Sequence, residues 1–421
     1  MLGASADARP DELSPSSLTF WAQPAAVRDA VFAELRARCP VSRQPPAEGT
    51  ALPLPPDDPG YWAVVRHEDV CTVSRNAELF ISAPGIAFED VPAGIGERIL
   101  SILMMDGARH HQVRRLVSAA FHPRQVARIE QQIEAQAKRI VDDLAPLGEG
   151  DFMERVARPL PTWTISEMIG IPEERRERAV GLIDAIANRH DPDFMGERTV
   201  LELVLDVSVE LHRIGMELIE ERRRQPTSDL MTALVQAEVE GERLTDEEIA
   251  SFFVLLVGAG NETTRNTIGH TMKALSDHPD QRHWLMEDFD GRIDTAVEEF
   301  IRWATPIRAF RRTATAATDM AGQRIEPGDK VVLFYVSANR DEAVFADPGR
   351  FDLARQPNPH VAFGAGVHFC LGAALARTQL RAIFRQLLRR LPDIEVGEPV
   401  YLVSNFLNAI RSLPCGFTPE A

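Results

Sequence analysis

The sequence predicts a mainly α fold with minor β sheet, organised as a single domain over residues 1–421. Three observations carry that prediction. Long amphipathic stretches broken by proline or glycine dominate from about residue 106 to residue 305. Short β-prone pieces are confined to the flanks, chiefly 306–370 and 392–421. No internal repeat and no linker-like composition divides the chain. Composition agrees, since 44% hydrophobic and 26% charged residues are ordinary globular usage and exclude disordered, collagen-like and disulfide-scaffold chains.

Each element has a local reason. QPPAEGTALPLPPDDPG at 44–60 carries too much proline and glycine for regular structure and is expected as a surface loop. YWAVVRHEDV, from Tyr61, reads as a short strand followed by a helix start. Thr245 and Glu248 form a capping box that opens an unusually long helix, ending near Asp277 before Pro279. KVVLFYVSANR at 330–340 reads as a strand, between turns at Pro327-Gly328 and Asp347-Pro348. A last helix is expected over about 371–391, and short strands and loops to the end.

Charge and cysteine usage exclude several classes. The 46 basic and 63 acidic residues give a net charge of −17, which repels phosphate backbones, so no nucleic-acid partner is expected. Cysteines at 39, 71, 370 and 415 form no CxxC pair, against a zinc ribbon or disulfide framework and in keeping with a reducing cytoplasm. The opening MLGASADARP has no secretory pattern, and the longest apolar run, Ile249 to Gly260, is interrupted by Ser251, so no membrane span is expected.

The strongest local anomaly is FGAGVHFCLG at 363–372, a glycine-rich loop that sets Cys370 at the start of a helix. A helix N-terminus favours a thiolate, and Gly364, Gly366 and Gly372 allow backbone or a flat ligand to come close. A lone thiolate suits a metal needing one protein ligand, as haem iron does; the competing reading is a buried structural cysteine after a turn. VGAGNETT at 257–264 puts Gly258 and Gly260 inside the long helix at a cost of roughly 1 kcal/mol each, so something approaches there, either a flat ligand or a neighbouring helix. Glu262 and Thr263 follow, an acid and an alcohol on an apolar helix that can relay protons or simply meet solvent. Glu299 and Arg302 stand three apart on one helix face, a spacing usually found in weak surface pairs. His110 and Arg114, four apart, can bind one anion or face water, and Arg312 in FRRTA is a further candidate anion ligand.

Together, and in this order, these elements resemble the cytochrome P450 superfamily over essentially the whole chain. The resemblance implies the P450 fold, with its long helix over the haem and small β-sheets, and haem b as cofactor. It makes Cys370 the axial thiolate, with Phe363 beside it and Gly364, Gly366 and Gly372 giving room for loop and porphyrin. It places His110, Arg114, Arg312 and His368 at the haem propionates, Ala259 and Gly260 at the oxygen groove, and Glu262 and Thr263 as the proton-delivering pair. Glu299, Arg302 and Arg355 match the family's buried charge triad, which displaces the surface-pair reading. The activity implied is insertion of one oxygen atom of O2 into a C–H bond of a hydrophobic substrate.

The likeness is greatest to actinobacterial methyl-branched-lipid and sterol side-chain terminal hydroxylases, through GNETTRN at 260, RWATP at 302, SANRDE at 337 and PNPHVAFG at 357. Those relatives carry an additional glycine between the phenylalanine and the cysteine; Phe363 to Cys370 keeps the commoner spacing. By resemblance the protein is a class I enzyme, cytoplasmic, without a membrane anchor, usually monomeric, and supplied with electrons by a ferredoxin and its NAD(P)H-dependent reductase. Arg115, Arg124, Arg377 and Arg381 are the expected docking patch for that acidic donor. Substrate contacts are expected from 86–102, 183–200, Leu256, 307–310 and 405–407, with Phe88, Ile95, Ile99, Ile307, Phe310 and Phe406 as apolar walls and Arg308 reaching a carboxylate or carbonyl. The substrate class expected is a branched lipid, isoprenoid or sterol; the alternative is a tailoring hydroxylase or epoxidase of a polyketide or macrolide. A haem protein without turnover and a peroxide-driven enzyme are both disfavoured by the intact Glu262 and Thr263.

Overall fold

The computed structural model describes residues 13–92, 96, 101–120, 123–187 and 198–420. Its principal helices are α1 (Ala25–Arg38), α2 (His67–Arg75), α3 (Gly107–Ala120), α4 (Pro123–Leu144), α5 (Pro159–Ile169), α6 (Glu173–Ala187), α7 (Val200–Arg224), α8 (Leu230–Gln236), α9 (Asp246–Asp277), α10 (Pro279–Glu287), α11 (Phe289–Ala304) and α12 (Ala373–Arg390). The main sheet contains β1 (Val41–Gln44), β2 (Tyr61–Val64), β3 (Phe80–Ile81), β4 (Ala309–Ala314) and β5 (Lys330–Phe334). The mainly helical architecture with small sheets is the one expected. No helix among the described residues is long and apolar enough to cross a membrane.

The chain gathers into two compact units, each assembled from three segments: Met1–Asp90, Gly269–Cys370 and Gly397–Leu413 in the first, Val91–Ile268, Leu371–Val396 and Pro414–Ala421 in the second. The first unit is built on the sheet, in the order β1-β2-β5-β4-β3, with β2 and β5 parallel and the other neighbours antiparallel. All five residues of β5 are buried, as a central strand requires. An aromatic cluster of Phe20, Trp21, Phe32, Tyr61 and Phe334 fills the core on one side. A buried ion pair between Lys330 and Asp58 ties the proline-rich loop to this sheet. The β-prone KVVLFYVSANR is strand only to Phe334, and Tyr335–Ala338 forms a helical turn. Asn339 explains the reversal, because its amide donates to Tyr335 O while its side chain accepts from Val361 N (2.8 Å) and donates to Thr305 Oγ1 (2.9 Å).

The second unit is helical. Leu203, Val207, Leu211, Ile214 and Leu218 recur along one face of α7 and share a core with Ile249, Phe253 and Val257 of α9. The predicted capping box is present: Thr245 N donates to Glu248 at 2.9 Å and Glu248 N to Thr245 Oγ1 at 3.2 Å. Helix α12 runs along α4, joined by Arg385 to Glu134 (2.6 Å) and Thr378 to Glu130 (3.3 Å).

Candidate active site

In the first unit the cysteine loop is shaped by its glycines. Gly364 and Gly366 take φ of +72° and +70°, the left-handed region that side chains rarely adopt, and Gly366 opens a short 3-10 turn to His368. A Cβ on Gly366 would stand 2.3 Å from Ser74 O, so the close approach there is made by the backbone of α2. Cys370 N donates to Phe363 O at 2.9 Å, closing the loop, and Gly372 is the N-cap of α12, two residues beyond the cysteine. Cys370 forms no disulfide and is half-buried beside the exposed Phe369, and the Phe363 ring contacts those of His360 and Phe369. Cys415 is a poorer thiolate candidate. Burial beside Asp151 pushes the Cys415 thiol up to about 11, and Cys71 is buried against His67.

The loop rests on a buried charge network. Glu299 and Arg302 have no solvent exposure and form a two-pronged pair, Nε to Oε2 and Nη2 to Oε1, both 2.7 Å. Arg355 Nε adds a 3.2 Å bond to Oε2. The two guanidiniums then donate to the backbone oxygens of Asn339, Ala346, Asp347, Pro348 and Arg350, pinning the segment that leads into the cysteine loop. Arg312, also buried, donates to Arg311 O at 2.8 Å, and His368 Nε2 lies 3.3 Å from Ser82 Oγ. Tyr335, which sequence reasoning missed, is buried beside this loop; burial raises its phenol, and Arg312 and Ser74 oppose that. Only its place in the quoted SANRDE neighbourhood hinted at it.

In the second unit, His110 is buried on α3 with Arg114 half-buried one turn on. On α9, Ala259 is exposed in an otherwise covered stretch. At Gly260 α5 comes close, since a Cβ would stand 2.3 Å from Ile165 Cδ1, the end of a side chain. Thr263 Oγ1 donates to Ala259 O at 2.9 Å, and Glu262 turns to Arg265 at 3.4 Å. No hydrogen bond joins the acid to the alcohol among the described residues. Burial, with Asp184 nearby, raises the Glu262 carboxyl above the usual range, against the pull of Arg265. Arg265 also lies 3.8 Å from both Asp184 and Glu154, and Asp184 pairs with Arg158 at 2.5 Å. This network was invisible in the sequence because its members come from three separate segments.

The substrate-wall candidates divide. Ile307 pairs with Leu407 in an isolated bridge and Phe310 meets Phe406 edge-to-face at 5.5 Å, a half-buried apolar patch of the first unit. Leu256 is half-buried against the helical core of the second unit. Two of these candidates pack inward. Phe88 is a core residue, packed edge-on to Tyr61, because its segment folds inward over the aromatic cluster. Arg308 is buried and its guanidinium is committed to Ser404 O, to Asn408 Oδ1 at 3.0 Å and to the Trp21 face at 4.8 Å, leaving it turned to the protein's own carbonyls. Ile95, Ile99 and the Arg124 side chain lie outside the described residues.

Comparison with known proteins agrees with this arrangement. The cytochrome P450 family profile matches residues 94–392. The Mycobacterium tuberculosis methyl-branched lipid omega-hydroxylase is 43% identical over 408 residues, covering 96% of this chain and 94% of its own. The Mycolicibacterium smegmatis steroid C26-monooxygenase is 38% identical over 368 residues, 86% of this chain and 84% of its own. The solved Mycobacterium marinum cytochrome P450 CYP268A2, in complex with pseudoionone, superposes with a TM-score of 0.91 at 53% identity, covering 98% of this chain and all of that one. A match of this extent, on a chain that carries the cysteine loop and the buried triad, leaves one assignment: the chain belongs to the cytochrome P450 family and is a P450 monooxygenase.

Proposed function

We propose that the enzyme is a haem-thiolate hydroxylase of branched lipids, isoprenoids or sterol side chains. The observation that carries this reading is the 43% identity with a methyl-branched lipid omega-hydroxylase over nearly the whole of both chains. The half-buried patch of Ile307, Phe310, Phe406 and Leu407 supports it by offering hydrocarbon rather than polar contacts.

The residues present fit a haem. Cys370, half-buried at the end of its glycine-shaped loop, can supply the single sulfur ligand that haem iron takes from the protein in this family. When bound, that group supplies oxygen activation and transfer into a C–H bond. Cys370 gives the sulfur ligand, and the Phe363 carbonyl that accepts its amide holds the sulfur's backbone in place. His110, Arg114, Arg312 and His368 are assigned to the propionates, and Phe363, Gly364, Gly372, Ala259 and Gly260 to the ring's surroundings. Glu262, desolvated and holding its proton to a higher pH than an ordinary glutamate, is the proton donor and Thr263 Oγ1 the carrier. Since Glu262 faces Arg265, transfer to Thr263 needs a rotation of the carboxyl or a water between them.

Each compact unit is built from three separated segments, so the chain passes from one to the other five times. Neither is a contiguous module, which supports a single catalytic domain. Arg377 and Arg381 on α12 are half-buried, and Arg115 is exposed with Glu240 at 3.1 Å; these are the proposed contacts for an acidic ferredoxin. The deciding test is an optical titration of the ferric protein with branched fatty acids, isoprenoids, sterols and macrolide-type polyketides. A saturable low-spin to high-spin shift with the lipids alone is expected, and a shift only with polyketides overturns the substrate class.

A further inference from the structure

Arg308, like Arg312, differs from the other buried arginines of the first unit in having no carboxylate partner among the described residues. Arg302 has Glu299, Arg36 has Glu342 and Arg311 has Asp90. Arg308 is 1% exposed, yet no described carboxylate lies within 4.0 Å of it. The charges that bear on it are a second cation, Arg28, and the Tyr401 phenol. A buried cation without a counter-ion is costly, and an apolar side chain of similar length would fill the same space at less expense in desolvation. Stability alone therefore does not account for it.

What the guanidinium supplies instead is a rigid fork. It donates to Ser404 O and to Asn408 Oδ1, the two ends of the turn 404–408, with its central carbon 4.8 Å from the Trp21 ring centroid, Trp21 itself being fixed by Nε1 to Pro15 O at 2.8 Å. The Arg308 amide donates to Phe406 O at 2.8 Å inside the same turn. Within the turn, Ser404 Oγ accepts from Phe406 N (3.1 Å) and Leu407 N (3.0 Å), and Asn408 Nδ2 donates to Ala304 O (2.8 Å). Phe406 and Leu407 are thereby presented beside Phe310, on the strand that Arg308 precedes, and beside Ile307, its neighbour in the chain.

We infer that Arg308 is a specificity-determining positioning residue, which holds the turn 404–408 so that Phe406 and Leu407 keep one place in the apolar patch. It touches no substrate. The step from turn geometry to substrate choice rests on the proposed function; the mechanical part does not.

The test compares the holoenzyme with Arg308→Met and Arg308→Lys, reading backbone hydrogen exchange at 404–408, melting temperature, the thiolate-type haem spectrum, and relative spectral affinities for straight-chain and methyl-branched fatty acids of equal length. Arg308→Met is expected to keep the haem spectrum and melt within about 4 °C of the parent. Exchange at the Phe406 and Leu407 amides rises by about tenfold, and preference between the two fatty acids shifts severalfold. Arg308→Lys, which keeps the charge but not the fork, moves both in the same direction. Unchanged exchange with unchanged preference overturns the inference, as does a large loss of stability in both variants with preference intact, which marks a purely structural arginine. If the parent itself shows no thiolate-type spectrum, the proposed function fails while the exchange arm still judges the clamp.

Discussion

Replacing Glu299 by Gln keeps the shape of the side chain and removes its charge. Glu299 accepts from Arg302 twice at 2.7 Å, from Asp352 N at 3.0 Å, from Asn358 Nδ2 at 3.1 Å and from Arg355 Nε at 3.2 Å. A glutamine offers one oxygen, and its NH2 faces guanidinium N–H groups, so two buried cations lose their counter-ion and at least two bonds. Breaking a buried pair by removing one partner costs about 3–5 kcal/mol, a large share of a total stability of roughly 5–15 kcal/mol. The partly exposed pair Arg175–Glu221, 2.8 Å apart with both side chains about a third exposed, provides the control, since such pairs are worth about 0–1 kcal/mol. Urea unfolding followed by far-ultraviolet circular dichroism at neutral pH compares Glu299→Gln with Glu221→Gln. A loss in Glu299→Gln no greater than in the control refutes the reasoning. Because the two guanidiniums also hold the carbonyls of 346–350, Glu299→Gln is expected to retain less haem as purified.

Four further outcomes are expected. Thr263→Ala should uncouple the enzyme, consuming NAD(P)H and releasing peroxide with little product; an unchanged ratio of product to NAD(P)H rejects Thr263 as proton carrier. For Glu262 the raised carboxyl means that the native state holds its proton more tightly than the unfolded chain, so the penalty is absent below the unfolded glutamate range and grows as pH rises from there towards the folded value. Glu262→Gln should accordingly gain stability relative to the parent as pH rises through that window and show no gain below it, in urea titrations at several pH values; a pH-independent difference contradicts the assignment. Gly366→Ala should cost more than Gly364→Ala, because both meet a left-handed φ worth about 1–2 kcal/mol while only Gly366 would drive a Cβ to 2.3 Å from Ser74 O. Equal losses would dismiss the role of that backbone approach. Reversing the charge at Arg377 and Arg381 together should slow the ferredoxin-supported rate most at low salt, and an unaltered rate removes them from the docking surface.

The signals legible in the sequence were those whose physics is local. Helix α9 begins and ends where Thr245, Glu248 and Pro279 require, because a capping box and a proline act on their own turn of backbone. The cysteine loop was legible for the same reason, since positive φ is a property of Gly364 and Gly366 themselves. The pairing of Glu299 with Arg302 followed from three-residue spacing, but spacing is blind to burial, and burial separates a weak surface pair from the network that pins the cysteine loop. Tertiary structure alone decided that Phe88 belongs to the aromatic core, that Ile165 comes close to Gly260, and that Glu262 faces Arg265 and Asp184. It also turned Arg308 from a presumed substrate ligand into a clamp, since its partners Trp21, Ser404 and Asn408 come from opposite ends of the chain and meet only when the sheet has assembled. Local composition sets where elements start and stop; which side chain is desolvated, and against what, is a property of the packed chain.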